Sequence, residues 1–246
     1  MSTTPRAAGT VYYPEEDGKV SESTKHYKQG ADLFAALRTF FAPRFDVFVG
    51  GNLFVYYREG EPKKCFSPDI MVAFGVRPRP DEERGSYRMW EEGVAPAVVI
   101  ELTSTSTRQD DTIRKPRLYA TLGVREYYLF DPLGEFLLPR LQGNYLNDQG
   151  GYEHRAGDDL ASPALGLRLV VRDGWLRLLN PTTGALLPTL AEAEAALLAT
   201  EAAREQERAA RLAAEVAHAQ EHAARLDAEA EIARLRAELA RQQEAQ

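Results

Sequence analysis

The sequence AVVIELTSTSTRQDDTIRKPRLYATLGVREYYLFDP, from Ala97 to Pro132, decides the fold. Its apolar run from Ala97 to Leu102 predicts a buried strand, and the run from Glu126 to Phe130 predicts a second strand. Between them, residues 108–122 predict a helix that follows a run of Ser and Thr and ends at Gly123, a residue typical of helix C-caps. A strand, a helix and a strand in this order predict a βαβ-like unit. We therefore expect an α/β fold with a mixed sheet flanked by helices.

Towards the N-terminus, the sequence predicts an arm followed by a helix. Residues 1–20 are rich in Pro, Gly and charged side chains, which predicts a loosely ordered arm. Ser21 or Ser23 can cap the helix, in which Leu33 and Leu37 recur at helical spacing.

The next segment predicts strands. Residues 45–49 and 53–57 have the composition of strands, and the Gly-Gly-Asn sequence between them predicts a β-hairpin. The apolar run 70–74 predicts the following strand. The charged, Pro-containing residues 78–93 predict a loop close to the substrate.

The C-terminal part of the chain changes character after Pro188. Short antiparallel strands are predicted between residues 145 and 179, whereas residues 189–246 consist mainly of Ala, Glu, Arg, Leu and Gln, the composition of a long helix. We therefore expect a domain over residues 21–188 and a helical tail over residues 189–246. The apolar spacing in the tail also favours a coiled coil, which would make the protein a homodimer.

Composition restricts the class of function. The chain has 30 basic and 37 acidic residues, and the tail accounts for 7 and 12 of them, so the body has 23 and 25 and is nearly neutral. This balance argues against a protein that holds nucleic acid by bulk charge, but local basic residues in a cleft are compatible with a nuclease. The single cysteine, Cys65, excludes an intramolecular disulfide. We expect a soluble, cytoplasmic protein without a membrane partner, because no segment approaches the roughly 18 apolar residues that cross a bilayer.

Two carboxylates interrupt apolar strands in a way that suggests chemistry. Asp69 opens the run 70–74, and Glu101 lies inside the run 97–102. Burying an isolated carboxylate costs several kcal/mol or shifts its pKa, so such a group needs a metal, a cation or several hydrogen bonds. At the ends of adjacent strands, with the main-chain carbonyl of Leu102 as a third oxygen, they would hold a magnesium ion, for which manganese can substitute.

Lys115 is the candidate for the positive group that phosphodiester hydrolysis requires. Asp111 precedes it by four residues and would orient its side chain if both lie on one helix. Pro116 leaves two alternatives: it kinks that helix, or it marks the first turn of a helix that begins later.

These residues together resemble the Uma2 family of "putative restriction endonucleases", a branch of the PD-(D/E)xK nuclease superfamily. The resemblance runs from about Gly18 to Val171 and is sharpest over residues 67–132, with Pro-Asp, Glu, Asp, Lys, Tyr, Gly-Val, Glu-Tyr and Asp-Pro in order. It implies a restriction-endonuclease-like fold, a mixed sheet of four to five strands between helices, and a magnesium-dependent nuclease site for DNA. It also implies that Asp69, Glu101 and Lys115 are the site residues.

The sequence departs from the superfamily pattern at one position. The superfamily lysine is expected two residues after Glu101, where this chain has Thr103, so Lys115 on the next helix would have to reach the same space. The superfamily also places an acidic residue on the first helix, for which Glu22, with His26, is the local match.

Structural alternatives remain open for each residue. Asp69 can be a local cap after Pro68, and Glu101 can form a buried ion pair with Arg114 or Arg117. A second hypothesis for the whole protein is therefore a catalytically inactive nuclease-like fold that binds nucleic acid or a protein and is oligomerised by its tail.

Overall fold

A computed structural model describes residues 23–77, 84–104 and 107–244. The predicted arm, Ser21 and Glu22 lie outside these residues. The chain forms two compact units, with the boundary after Ala191. The helices are α1 (Thr24–Phe41), α2 (Met89–Glu92), α3 (Lys115–Leu122) and α4 (Leu190–Glu244). The strands are β1 (Val47–Gly50), β2 (Val55–Tyr56), β3 (Cys65–Phe66), β4 (Ile70–Phe74), β5 (Tyr87–Arg88), β6 (Val98–Leu102), β7 (Glu126–Phe130), β8 (Leu141–Leu146), β9 (Tyr152–Ala156), β10 (Asp159–Ser162), β11 (Leu167–Arg172) and β12 (Trp175–Leu179).

The central sheet is mixed, as predicted. Its order over the described residues is β1-β4-β6-β7-β8-β9, in which β6 and β7 run parallel and every other neighbouring pair is antiparallel. The expectation of four to five strands is wrong, because the antiparallel hairpin β8–β9 adds two strands beyond β7. The α/β fold with a mixed sheet, flanking helices and a long C-terminal helix is confirmed.

Each face of the central sheet buries its own apolar layer. Side chains alternate along β6, so that Val98 and Ile100 pack with α1 and with the sheet β10-β11-β12. Val99 faces the opposite layer, which contains Tyr119 of α3 and the small sheet β3-β2-β5. This alternation places Glu101 on the α3 side.

The predicted hairpin over residues 45–57 is wrong. β1 pairs with β4, whereas β2 pairs with β3 and β5 in a different sheet. Asn52 has the left-handed φ of 50° that the turn signal requires. Its N–H, however, donates to the carbonyl of Pro68 at 3.0 Å, so the turn carries the chain from one sheet to the other.

The predicted loop over residues 78–93 is also wrong in its described part. Residues 84–93 contain β5, which runs parallel to β2, and the short helix α2. Arg84 and Glu92 form a buried ion pair of 3.1 Å between Nε and Oε1 within this segment, and the Arg84 guanidinium lies 4.7 Å from the ring centre of Phe48 in β1.

The predicted helix over residues 108–122 is present, with one change in its winding. Asp110–Arg114 forms a π-helical turn, in which the N–H of Lys115 donates to the carbonyl of Asp110. Pro116 explains the turn, because proline has no N–H and its ring crowds the carbonyl four residues back. α3 begins at Lys115 with Pro116 in its first turn, and the π-helical turn joins α3 to the helical residues before it, so the structure contains elements of both alternatives. The helix ends at Gly123, whose φ is 80°.

The tail is helical, as predicted. α4 spans 55 residues and exposes Leu197, Leu198, Leu212, Val216, Leu226, Ile232 and Leu235. In the part of the chain that the structure describes, no helix is both long and apolar enough to cross a membrane.

Candidate active site

The central sheet brings Asp69 and Glu101 together. β4 and β6 are antiparallel neighbours with Ile70 opposite Ile100, so the start of β4 lies beside the end of β6. The N–H of Asp69 lies 3.4 Å from Oε2 of Glu101, and the N–H of Leu102 donates to Oδ2 of Asp69 at 2.6 Å. The Asp69 carboxylate is thus oriented by the neighbouring strand.

Lys115 reaches the same place from α3. Its Nζ lies 2.9 Å from Oε1 of Glu101 and 2.7 Å from Oδ1 of Asp111, the expected partner four residues earlier. The side chain of Lys115 is only 14% exposed. Arg114, an alternative partner for Glu101, instead pairs with Asp110 at 2.7 Å. Glu101 is therefore paired with the lysine.

Tyr119 also belongs to the site. Its hydroxyl donates to Oε1 of Glu101 at 2.7 Å, and the side chain is fully buried. Tyr119 lies four residues after Lys115, so both project from the same face of α3. That spacing is the signal in the sequence from which the contact was predictable.

His26 also reaches the site, from the first turns of α1. Its Nε2 lies 2.7 Å from the carbonyl oxygen of Leu102 and 3.9 Å from Oδ2 of Asp69. The Ser23 hydroxyl accepts from the N–H of His26 and caps the helix there. His26 therefore touches two of the three oxygen donors expected for the metal. Glu22, the other residue expected from α1, lies outside the described residues.

Thr103 cannot replace the missing lysine. It is buried beyond Glu101, and its hydroxyl makes no hydrogen bond with any residue that the structure describes. The positive charge beside Glu101 comes from Lys115 on α3.

The site is short of positive charge. Among the described residues, the carboxylates of Glu101 and Asp111 contact one ammonium group, that of Lys115, while Asp69 lies beside Glu101, and Oδ2 of Asp111 is buried without a hydrogen bond from the described residues. Burial raises the pKa of Glu101 to about 8, which Lys115 opposes and the charges of Asp69 and Asp111 reinforce. Burial alone would lower the pKa of Lys115, but the Glu101 and Asp111 carboxylates raise it above its ordinary value. A further cation would stabilise this arrangement.

Residues 15–184 match a family described as "Putative restriction endonuclease" and named Uma2, so the match covers more than half of the chain. The chain belongs to the Uma2 family. No curated protein matches the sequence. The structure is similar to the crystal structure of a "putative nuclease belonging to DUF820" from Anabaena variabilis, with a TM-score of 0.43 and 16% identity over 58% of this chain and 75% of the other.

Membership of Uma2 supports a nuclease and confirms the resemblance seen in the sequence. The matched residues contain Asp69, Glu101, Asp111 and Lys115, and end before α4 begins. The tail is therefore outside the part that this chain shares with the family.

The resemblance to Uma2 and its superfamily implies a magnesium ion, and the donors present fit one. The described residues contain no group of three or more His, Cys, Asp and Glu side chains that could hold a metal. Two carboxylates and the Leu102 carbonyl remain, and these hard oxygen donors suit magnesium, which takes one or two carboxylates along with water and substrate. The excess of carboxylates over ammonium groups supports the same conclusion.

The raised pKa of Glu101 predicts how the stability of this Uma2 protein depends on pH. The folded protein keeps the Glu101 proton up to about pH 8, whereas the unfolded chain loses it near the ordinary value of 4.5. Between these values the folded state holds the extra proton, so the free energy of unfolding falls as pH rises, by up to about 1.4 kcal/mol per pH unit. Glu101→Gln, which does not titrate, should lack this contribution.

Urea denaturation in EDTA at several pH values between 5 and 8 gives the free energy of unfolding of the wild type and of Glu101→Gln. The difference between the two slopes of this free energy against pH is the contribution of Glu101. Equal slopes for the two proteins would show that Glu101 titrates normally.

Proposed function

We propose that this Uma2 protein is a magnesium-dependent endonuclease that hydrolyses DNA phosphodiester bonds. The observation that carries the proposal is the convergence of Asp69 and Glu101 at adjacent strand ends, with Lys115 2.9 Å from Glu101, in a chain of a nuclease family. Asp69, Glu101 and the Leu102 carbonyl are the proposed magnesium ligands, and manganese is the expected substitute. The proposed substrate is DNA because the resemblance is to restriction endonucleases.

Some residues of the site hold the proposed metal ligands in position, and others compensate charge. The hydrogen bond from the Leu102 N–H fixes the orientation of the Asp69 carboxylate, so that this ligand is preorganised. The chemistry that magnesium supplies when bound is Lewis-acid polarisation of the phosphate. Lys115 lies next to Glu101, and an ammonium group carries three N–H donors. With two carboxylates in contact, one donor remains to meet the charge that develops on a phosphoryl oxygen.

Asp111, Tyr119 and His26 act as positioning residues in this proposal. Asp111 holds the Lys115 ammonium from the helix side, and Tyr119 holds one oxygen of Glu101. His26 contacts the Leu102 carbonyl and thereby orients the third proposed ligand. Their contacts fix the geometry of the charged groups, which transition-state stabilisation requires.

Manganese binding tests the proposal without a choice of substrate. Calorimetric titration of manganese should give a binding isotherm for the wild type and for Asp46→Ala, whose carboxylate pairs with Arg44 away from the site. Asp69→Ala should lose it, because one of the two carboxylate ligands is gone. The titration is repeated with a phosphorothioate DNA duplex, which supplies the phosphate that completes some nuclease sites. Absence of binding in both titrations would contradict a metal-dependent enzyme.

A second candidate is an inactive nuclease-like module that binds nucleic acid or protein. Thr103 in the usual lysine position and the two short ion pairs of Lys115 favour it, because the ammonium group that the described residues place at the site is already bound by two carboxylates. Absence of manganese binding is the result that it predicts.

A second copy of the chain is part of the proposal. Two sites related by a twofold axis cut both strands of a duplex most simply, and α4 exposes a series of apolar side chains for self-association. Light scattering of the intact protein measures the dimer directly.

A further inference from the structure

A cavity of about 210 Å³ opens beside the Asp69 carboxylate. α1 forms one wall and the turn at Gly51 and Asn52 forms the other, while His26, Asp69 and Leu102 close its end. The wall of α1 consists of Tyr27, Gly30, Ala31 and Phe34. The cavity and the proposed active site share Asp69. A substrate bound at the active site would therefore reach the cavity with one of its neighbouring groups.

Small residues keep this space open. Gly30 lies inside α1, where glycine costs about 1 kcal/mol relative to alanine. A Cβ atom at Gly30 would meet Leu102 Cδ1 at an ordinary 3.6 Å, so packing does not demand the glycine. At Gly51 a Cβ atom would lie 3.2 Å from both the Asp69 carbonyl oxygen and Phe34 Cδ2. A side chain there would press on the backbone of Asp69.

Two side chains at the cavity make neither a hydrogen bond nor a ring contact within the described part of the protein. The Tyr27 side chain is 70% exposed, and neither its ring nor its hydroxyl contacts another ring or makes a hydrogen bond there. The Asn52 side chain is exposed and likewise makes no hydrogen bond to a described residue, although its backbone N–H is fixed to Pro68. An aromatic face and an amide are the groups that proteins use to stack on a nucleobase and to read its edge.

The charges of the cavity distinguish a base from a phosphate. Among the residues that the structure describes, no Lys or Arg side chain lines it, and the ionisable groups that face it are His26, Asp69 and the Tyr27 phenol. A phosphate would meet the Asp69 carboxylate without a compensating cation, whereas an uncharged base would meet apolar walls and one amide.

We propose that this cavity binds the base of a nucleotide adjacent to the scissile phosphate, turned out of the base stack. The base stacks on the Tyr27 ring, and the Asn52 amide hydrogen-bonds to its edge. The inference rests on the proposed nuclease function and adds to it a recognition step at an unstacked base. It makes the enzyme sensitive to bases that are free to leave the stack.

Ala31→Leu tests the proposal, because leucine is a good helix former and its side chain enters the cavity. Cleavage positions are mapped first with the wild type, and oligonucleotides are then made with an abasic residue on either side of that bond. In the wild type, loss of one of these bases should lower kcat/KM about 10-fold, the scale of one base stacked on an aromatic ring. In Ala31→Leu, kcat/KM should already be about 10-fold lower, and loss of that base should have no further effect.

The same oligonucleotides provide a readout without catalysis. Fluorescence anisotropy in EDTA should show weaker binding of the abasic oligonucleotide to the wild type and equal binding of both oligonucleotides to Ala31→Leu. Ala35→Leu, on the same helix but outside the cavity, is the matched control and should behave as the wild type. If Ala31→Leu fails to fold, Tyr27→Ala replaces it, because that side chain is largely exposed. Its matched control is Phe45→Ala, a side chain that is 80% exposed and outside the cavity.

Two outcomes separate this inference from the proposed function. Cleavage that is insensitive both to the neighbouring bases and to Ala31→Leu would overturn the base site and leave the nuclease in place. No cleavage of any oligonucleotide by the wild type would overturn the proposed function, and the base site with it.

Discussion

Asp69→Asn is expected to lower the rate of DNA cleavage by on the order of 10³-fold, the scale on which one preorganised electrostatic group acts. Asparagine has almost the same shape and keeps an oxygen that can accept the hydrogen bond from the Leu102 N–H. It removes the negative charge, which is the property that a hard cation needs from this ligand. The substitution therefore tests the negative charge that the proposed metal site needs, while it keeps the hydrogen bond that this side chain makes in the fold.

The measurement is the nicking of supercoiled plasmid in magnesium, with manganese as the second metal. Asp46→Asn is the matched control, because its carboxylate forms an exposed ion pair with Arg44 outside the site and its loss should leave the rate unchanged. Circular dichroism and urea denaturation establish that both variants are folded. Cleavage by Asp69→Asn at the wild-type rate would remove Asp69 from the site.

Lys115→Met is expected to lower the free energy of unfolding by about 3–5 kcal/mol in the absence of metal and above pH 8, where Glu101 is ionised, because it leaves two buried carboxylates without their cation. Glu101 and Asp111 are both almost fully buried, and both contact the Lys115 ammonium. Methionine has a similar length and no charge, so the change removes the ion pairs with little loss of volume.

Urea denaturation in EDTA measures this effect at a fixed pH. Arg58→Met, which breaks the exposed ion pair with Glu61, should change stability by no more than about 1 kcal/mol. Adding Glu101→Gln and Asp111→Asn to Lys115→Met should recover much of the loss, because the carboxylates no longer need a partner. A cost for Lys115→Met as small as that for Arg58→Met would show that the lysine is not needed to stabilise the site.

The local elements of the fold were predictable because their signals lie within a few residues. The run 70–74 and the run 126–130 give strands with those bounds, and Glu101 lies in the predicted strand. The pairing partner of each strand was harder to predict from the sequence. Gly-Gly-Asn specifies a turn with a left-handed residue, yet the buried side chains of Phe48 and Val49 decide that β1 pairs with β4.

The candidate site was predictable in its residues but not in all its contacts. Asp69, Glu101 and Lys115 come together in space, and Asp111 holds the lysine from four residues away. The contact between Tyr119 and Glu101 was missed because a tyrosine in an apolar helix usually indicates packing. The π-helical turn before Pro116 was not predictable either, since a proline signals disruption of a helix without specifying its form.

The Lys115 bridge between α3 and β6 has a consequence for the life of the protein in a cell. A site built from carboxylates alone would repel itself when empty and would make folding depend on a supply of cations. Here an ammonium group from the chain itself, together with the proton that Glu101 retains, offsets much of that repulsion. We expect synthesis and turnover of this protein to be insensitive to the supply of divalent ions. Under the proposed function, magnesium then determines how much of the protein is active, and not how much of it exists.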